Sequence, residues 1–131
     1  MKDNSILESM FKTYGKSKID WMGFPVTTKN YITYHHIYEA RNGGIESENN
    51  GALLTRKAHE YLNIAYIIDR PLYDEYNYYF RIINDMKMPP SDEIMSLMYN
   101  LKKRLKKLVK DYENSKSRGY HNNSLEKAPN L

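Results

Sequence analysis

The sequence predicts an α+β fold: two short strands and a helix at the centre, with additional α-helices on either side. Three observations predict it. The runs "YITYHHI", Tyr31 to Ile37, and "ALLT", Ala52 to Thr55, are β-branched, aromatic or apolar, and a segment dense in Gly and Asn separates them. Before and after this region, apolar residues recur at the three- and four-residue steps of helices. The chain's 131 residues suffice for one modest core and not for two.

Each element follows from local chemistry. In Ser5 to Tyr14, Ile6, Leu7, Met10 and Phe11 share one helical face and Gly15 provides a stop. The stretch "GKSKIDWMGFPVTTKN" mixes turn formers with Trp21, Phe24 and Val26, which predicts an extended connection whose aromatics anchor on the core. After the first strand, "EARNGGIESENNG" is a long irregular loop. Thr55 then caps a helix from Arg56 to about Ile68, which Asp69 and Pro71 end. A further helix spans Leu72 to about Lys87, with Tyr76, Tyr79, Phe80 and Ile83 on one face, before "MPPS" breaks it. The last helix runs from about Asp92 to Tyr112 with Ser91 as its cap, a stripe of Ile94, Leu97, Met98, Leu101, Leu105, Leu108 and Tyr112, and lysines on the other faces. The organisation is therefore an N-terminal helix and connection over 1–30, a core over 31–70, a helical extension over 71–113 and a flexible tail over 114–131.

Composition narrows the function classes. Lys and Arg number 20 against 16 Asp and Glu, a net charge of +4 that suits nucleic acid without requiring it. The 13 tyrosines fit either the codon bias of an AT-rich genome or a groove where tyrosines stack on bases or bond phosphates. Cysteine is absent, which excludes disulfides and thiolate metal sites and leaves His, Asn, Asp or Glu to hold any metal. The N-terminus has no apolar run of signal-peptide length, and no segment reaches the length of a membrane span. The expectation is a soluble, cytoplasmic protein with no membrane partner.

Three of the chain's four histidines fall between Tyr31 and Asn63, and that concentration points to a chemical site. His36 lies 14 residues before Asn50, Asn50 lies 9 before His59, and Asn63 follows 4 later. Positions i and i+4 share a helix face, so His59 and Asn63 are placed to converge on one ion through an imidazole nitrogen and an amide oxygen. The adjacent pair His35 and His36, on a strand, would close such a site from the other side. His121 lies in the tail and is incidental.

The order "YHHI", "GG", "ENNGALLT", "KAHEYLN" resembles the HNH endonuclease family, the ββα-metal nucleases, over residues 31–63. The resemblance implies a two-stranded β-hairpin and helix holding one divalent ion (Mg²⁺, Mn²⁺, Ni²⁺ or Zn²⁺), with DNA as substrate. It implies His35, His59 and Asn63 as metal ligands, His36 as general base, and Asn50 as the residue that braces the loop and orients the base. Asn49 competes for that last role, but the family pattern places the Asn directly before Gly. Histidine suits the base role because its ordinary pKa near 6.5 leaves a neutral fraction at neutral pH. On a strand, neighbours point to opposite sides, so His35 would face the metal and His36 the attacking water.

The sequence departs from many relatives where Thr55 and Ala58 stand in place of a Cys-x-x-Cys pair, so no structural zinc is expected. Arg41, Arg56 and Lys57 are candidates for holding phosphates beside the scissile bond, and Lys103, Lys106 and Lys110 for tracking DNA along the last helix; a solvated surface role is the alternative for each. Family habit and size further imply a phage or mobile-element protein, with a partner from the same source. The competing readings are a non-catalytic nucleic-acid-binding or phage-assembly protein on the same scaffold, and a helical protein-interaction module.

Overall fold

The computed structural model describes residues 5–39 and 42–117. They form an α+β fold of four helices and a two-stranded antiparallel hairpin that packs against the second helix. In chain order the elements are α1 (Ser5–Tyr14), β1 (Ile32–His36), β2 (Gly51–Thr55), α2 (Arg56–Ile68), α3 (Arg70–Met86) and α4 (Asp92–Ser117). A single 3-10 turn, Glu48–Asn50, leads into β2. None of the described helices is long and apolar enough to cross a membrane.

An isolated two-stranded hairpin is marginal in water, and here the surroundings make up the deficit. The pairing sets Ile32 opposite Thr55 and His36 opposite Gly51. All five residues of β2 are buried. One edge of β2 pairs with β1, and the other is covered by the connection after α1, where Trp21 N donates to Leu53 O at 3.1 Å. The Trp21 ring sits between Tyr14 of α1, 5.0 Å away, and Phe80 of α3, 6.2 Å away, so the anchoring role expected of the aromatics is realised by contact with two helices.

Asp20 organises this connection. Its Oδ1 accepts from Met22 N and Phe24 N, and its Oδ2 accepts from Thr55 N at 2.8 Å and Thr55 Oγ1 at 2.7 Å. Thr55 Oγ1 in turn accepts from Ala58 N, which makes it the N-cap of α2. Burial pushes the Asp20 carboxyl above its ordinary pKa, while the donors from Thr55, Phe24 and Met22 pull the other way.

Two boundaries differ from the sequence expectation. Pro71 does not delay α3, which begins at Arg70 with the proline in its first turn, where no amide donor is needed. Asp69 therefore serves both helices: its N–H donates to Ala65 O at the end of α2, and its Oδ1 accepts from Leu72 N at the start of α3. At the other end, α4 runs to Ser117, so residues 114–117 of the expected tail are helical; the remainder lies outside the described residues. Lys116 stacks over Tyr112, one turn earlier, at 5.2 Å, and Lys near a helix C-terminus suits the dipole. The buried line of α4 is Met98, Leu101, Leu105 and Val109, whereas Leu97 is 42 % exposed.

Tyr76 is fully buried, and its hydroxyl has no hydrogen-bond partner among the described residues. Asp20→Asn should destabilise the fold by about 2–5 kcal/mol in urea unfolding, because either orientation of the amide turns its NH₂ toward two buried donors, each costing roughly 1–3 kcal/mol when unsatisfied. Tyr76→Phe should be neutral or stabilising by up to about 1 kcal/mol in the same measurement; a clear loss would show that the hydroxyl has a partner.

Candidate functional site

The register of the hairpin turns His35 inward and His36 outward. His35 is 4 % exposed and lies opposite Ala52, whose small side chain leaves room for the imidazole against α2 and α3. Its ring meets His59 of α2 edge-on at 5.2 Å between centroids and the rings of Phe80 and Tyr73 of α3 at 5.6 and 6.3 Å.

With the Asn77 amide oriented as it stands, the partners of the two imidazoles favour one placement of their protons. Thr33 Oγ1 donates its single proton to Leu54 O at 2.8 Å, so the oxygen accepts from His59 Nδ1, 3.2 Å away. Asn77 Oδ1 accepts from His35 Nε2 at 2.8 Å. That assignment leaves lone pairs on His35 Nδ1 and His59 Nε2, the two atoms that face each other at 3.4 Å. Two nitrogens bound about 2.0–2.1 Å from a tetrahedral ion stand roughly 3.4 Å apart, so the pair fits a shared divalent metal. Burial, chiefly, holds the His35 pKa down to about 3; the bond to Asn77 opposes this, and the neighbouring His59 and His36 reinforce it. His35 is therefore neutral at physiological pH, the form in which an imidazole ligates.

The rest of the expected ligand set is placed differently. Asn63 is exposed one turn beyond His59, and its side chain makes no hydrogen bond among the described residues. No third histidine, cysteine or carboxylate joins the pair among those residues.

His36 is half-buried on the opposite face of the hairpin, where its ring packs edge-on against Tyr34 at 4.9 Å. Tyr34 is itself fixed at its far end: its hydroxyl donates to Ser47 O at 2.7 Å and accepts from Ser47 N at 3.0 Å. Gly51, opposite His36, is required for space, because an added Cβ would run into the Tyr34 ring and stand 2.9 Å from Met10 Sδ.

Asn50, 7 % exposed, closes the loop between the strands with its whole amide. Its Nδ2 donates to Tyr38 O and Ile45 O, both at 2.9 Å, and its Oδ1 accepts from Tyr38 N at 2.8 Å. Asn49 is exposed, and its amide oxygen accepts from Lys87, so of the two asparagines Asn50 is the brace. Behind it, α3 presents a polar line that the sequence reading missed. Asn77 holds His35, Arg81 donates to Asn49 O at 2.9 Å, and buried Asn84 donates to Glu48 O and Gly51 O at 2.7 and 2.8 Å. Their spacing along one side of an otherwise aromatic helix was the available signal. For Thr33 it was strand alternation, which puts it on the face of His35.

Of the cations expected to meet nucleic acid, Arg41 lies outside the described residues. Arg56 pairs with Glu60 at 3.1 Å, and Lys57 lies 5.8 Å over the Tyr61 ring. Arg56, Lys57 and Lys106 line one groove together with Lys29 and Lys102, which the sequence reading did not single out. Lys103 and Lys110 are exposed on α4 and do not line that groove. A second, wider cleft runs between α1 and the outer edge of β1, and His59 and Thr33 line it.

No family model, curated protein or solved structure matches the chain. The loop brace is open to a direct test. Asn50→Asp keeps the size and one acceptor but aims oxygen at the carbonyls of Tyr38 and Ile45, so unfolding free energy should fall by about 2–4 kcal/mol. Wild-type stability in this variant would mean that the loop closes without the amide donors.

Proposed function

We propose that this chain is a metal-dependent endonuclease of the HNH, or ββα-metal, type, hydrolysing phosphodiester bonds in DNA. The observation that carries the reading is the convergence of His35 Nδ1 and His59 Nε2 at 3.4 Å, with the other nitrogen of each ring held by Asn77 or Thr33. With those tautomers the two ring nitrogens turn their lone pairs toward each other, an arrangement suited to a cation. His35 and His59 would hold the ion, and Asn63, exposed one turn along α2, would add an amide oxygen only by turning toward it. A bound divalent ion supplies positive charge to offset the charge that builds on a phosphodiester under attack.

The remaining roles belong to the chain's own groups. His36, the next residue on the other face of the strand, is the general base that removes a proton from the attacking water. Its ring is kept in place by Tyr34, which Ser47 anchors. Asn50 holds the loop that carries Ser47 and Tyr38 against the hairpin, so it acts on the base through the loop. Support for the reading is thus the residue order in the sequence together with two facing ligand nitrogens and a separately braced third histidine.

A second reading, a nucleic-acid-binding protein without catalysis, is favoured by one observation: the described residues provide two imidazoles and no third His, Cys, Asp or Glu at the pair. Plasmid relaxation in Mg²⁺, Mn²⁺, Ni²⁺ or Zn²⁺ separates them, with chelator as the blank. The nuclease reading expects cleavage that chelator stops and that His36→Ala reduces by about 10²–10⁴-fold with metal titration unchanged. His59→Ala should weaken metal binding in calorimetry by on the order of 10–100-fold or more. An intact plasmid with all four ions would remove the nuclease reading and leave the binding one.

A further inference from the structure

His59 lines one of two neighbouring clefts that carry cations. The first, about 1150 Å³ between α1 and β1, is lined by Lys12 and Lys16, by the rings of Phe11 and Tyr31, and by His59 itself. The second, about 490 Å³ between residues 24–30, the first turns of α2 and the middle of α4, carries Lys29, Arg56, Lys57, Lys102 and Lys106. The clefts adjoin: Asn30 lines the second and the next residue, Tyr31, the first, while Arg56 of the second stands one turn before His59.

The charge in both is one-sided. Among the described lining residues the carboxylates are Glu8 in the first cleft and Glu60 in the second, and Arg56 already holds Glu60. Sheet topology keeps the first cleft open, because β1 pairs with β2 on one edge and, among the described residues, has no strand on the other. Aromatic faces lie beside the cations in each: Lys16 stands 5.4 Å over Phe11, Tyr31 is 53 % exposed, and Lys57 lies over Tyr61. Ammonium groups flanking the exposed Tyr31 ring suit a strand of nucleic acid, whose phosphates take the charges and one of whose bases takes that ring. An acidic protein surface would use the lysines and leave that ring without a role.

We infer that the two clefts form one DNA path that crosses His59, with Lys12 and Lys16 contacting phosphates on one side of it and Lys29 and Lys106 on the other. The choice of DNA rests on the nuclease reading. The path itself rests on the placement of the clefts. It assigns a binding role to α1, which lies outside the histidine-bearing segment, and it divides the lysines of α4, taking Lys106 and leaving Lys103 and Lys110 aside.

Fluorescence anisotropy of a labelled DNA oligonucleotide, single-stranded and duplex, tests the path in chelator, where no cleavage occurs. Each phosphate contact contributes about 0.9 to the slope of log affinity against log salt for duplex and about 0.7 for a single strand. Lys12→Gln/Lys16→Gln and Lys29→Gln/Lys106→Gln should each flatten the slope, by as much as about 1.8 on duplex, and the fourfold variant should combine the two losses. Lys103→Gln/Lys110→Gln, which removes the same charge elsewhere, should change it less. All four lysines of the path are exposed, so thermal denaturation should read as wild type and exclude misfolding. Equal losses in the Lys103/Lys110 control, or a loss confined to one cleft, overturns the path. Wild-type protein that binds with these slopes but cuts under no ion overturns the nuclease reading alone; protein that cuts while the lysine variants bind unchanged overturns the path alone.

Discussion

The carboxylate of Asp20 is the constraint on which the rest of the structure depends. It collects the backbone N–H groups of Met22 and Phe24 on one oxygen and both donors of Thr55 on the other, with the whole group 2 % exposed. Charge-assisted bonds of this kind are stronger than neutral ones, and a buried carboxylate short of partners would be costly. The outcome is geometric as well as energetic. Thr55 is at once the last residue of β2 and the cap of α2, so locking it sets the angle at which α2 leaves the sheet. His59 is four residues further on, and its position against His35 inherits that angle.

A second set of contacts comes from outside the histidine-bearing segment altogether. The hairpin and α2 present His35, His36 and His59, but α3 supplies the Asn77 that orients His35 and the Arg81 and Asn84 that hold the turn before β2. The short segment could not do this alone. It has neither the buried area nor the donors, and without zinc-binding cysteines its stability depends on packing by the flanking helices. Tyr14 of α1 donates to Asn84 O at 2.9 Å, so even the N-terminal helix is tied to the same line of side chains.

What was legible in the sequence follows the range of the interactions. Helices α1 to α4, both strands and the Thr55 cap are set by neighbours within a few residues, and the pattern exposed them. His35 and His36 divide between the two faces because strand alternation leaves no other choice. Asn50 could be singled out from Asn49 only by the residue that follows it, and the structure supplies the reason: Gly51 makes room for the Tyr34 ring. Asp20 was invisible because it reads as a turn residue in "KSKIDWMGFP" and its partner Thr55 is 35 positions away. Asn77 stood among tyrosines, 42 positions from His35, with only its spacing to Arg81 and Asn84 to mark it. Leu97 and Val109 exchanged their expected places because the face α4 buries depends on where α2 and α3 lie, which periodicity alone leaves undetermined by about one residue.

The single-residue joint at Asp69 determines where this chain tolerates a change of length. With the last turn of α2 and the first of α3 sharing one cap, there is no slack between the helix that carries His59 and the helix that carries Asn77. One residue added early in α3 would turn everything after it by about 100°, moving Asn77, Arg81 and Asn84 off their partners together. The loop between the strands is the opposite case, since the part between Asn42 and Glu46 is largely exposed and longer loops cost little entropy. Changes of length therefore suit the hairpin loop, whereas α2 is held at both ends, by Thr55 and by Asp69, and α3 has room to lengthen only beyond Asn84.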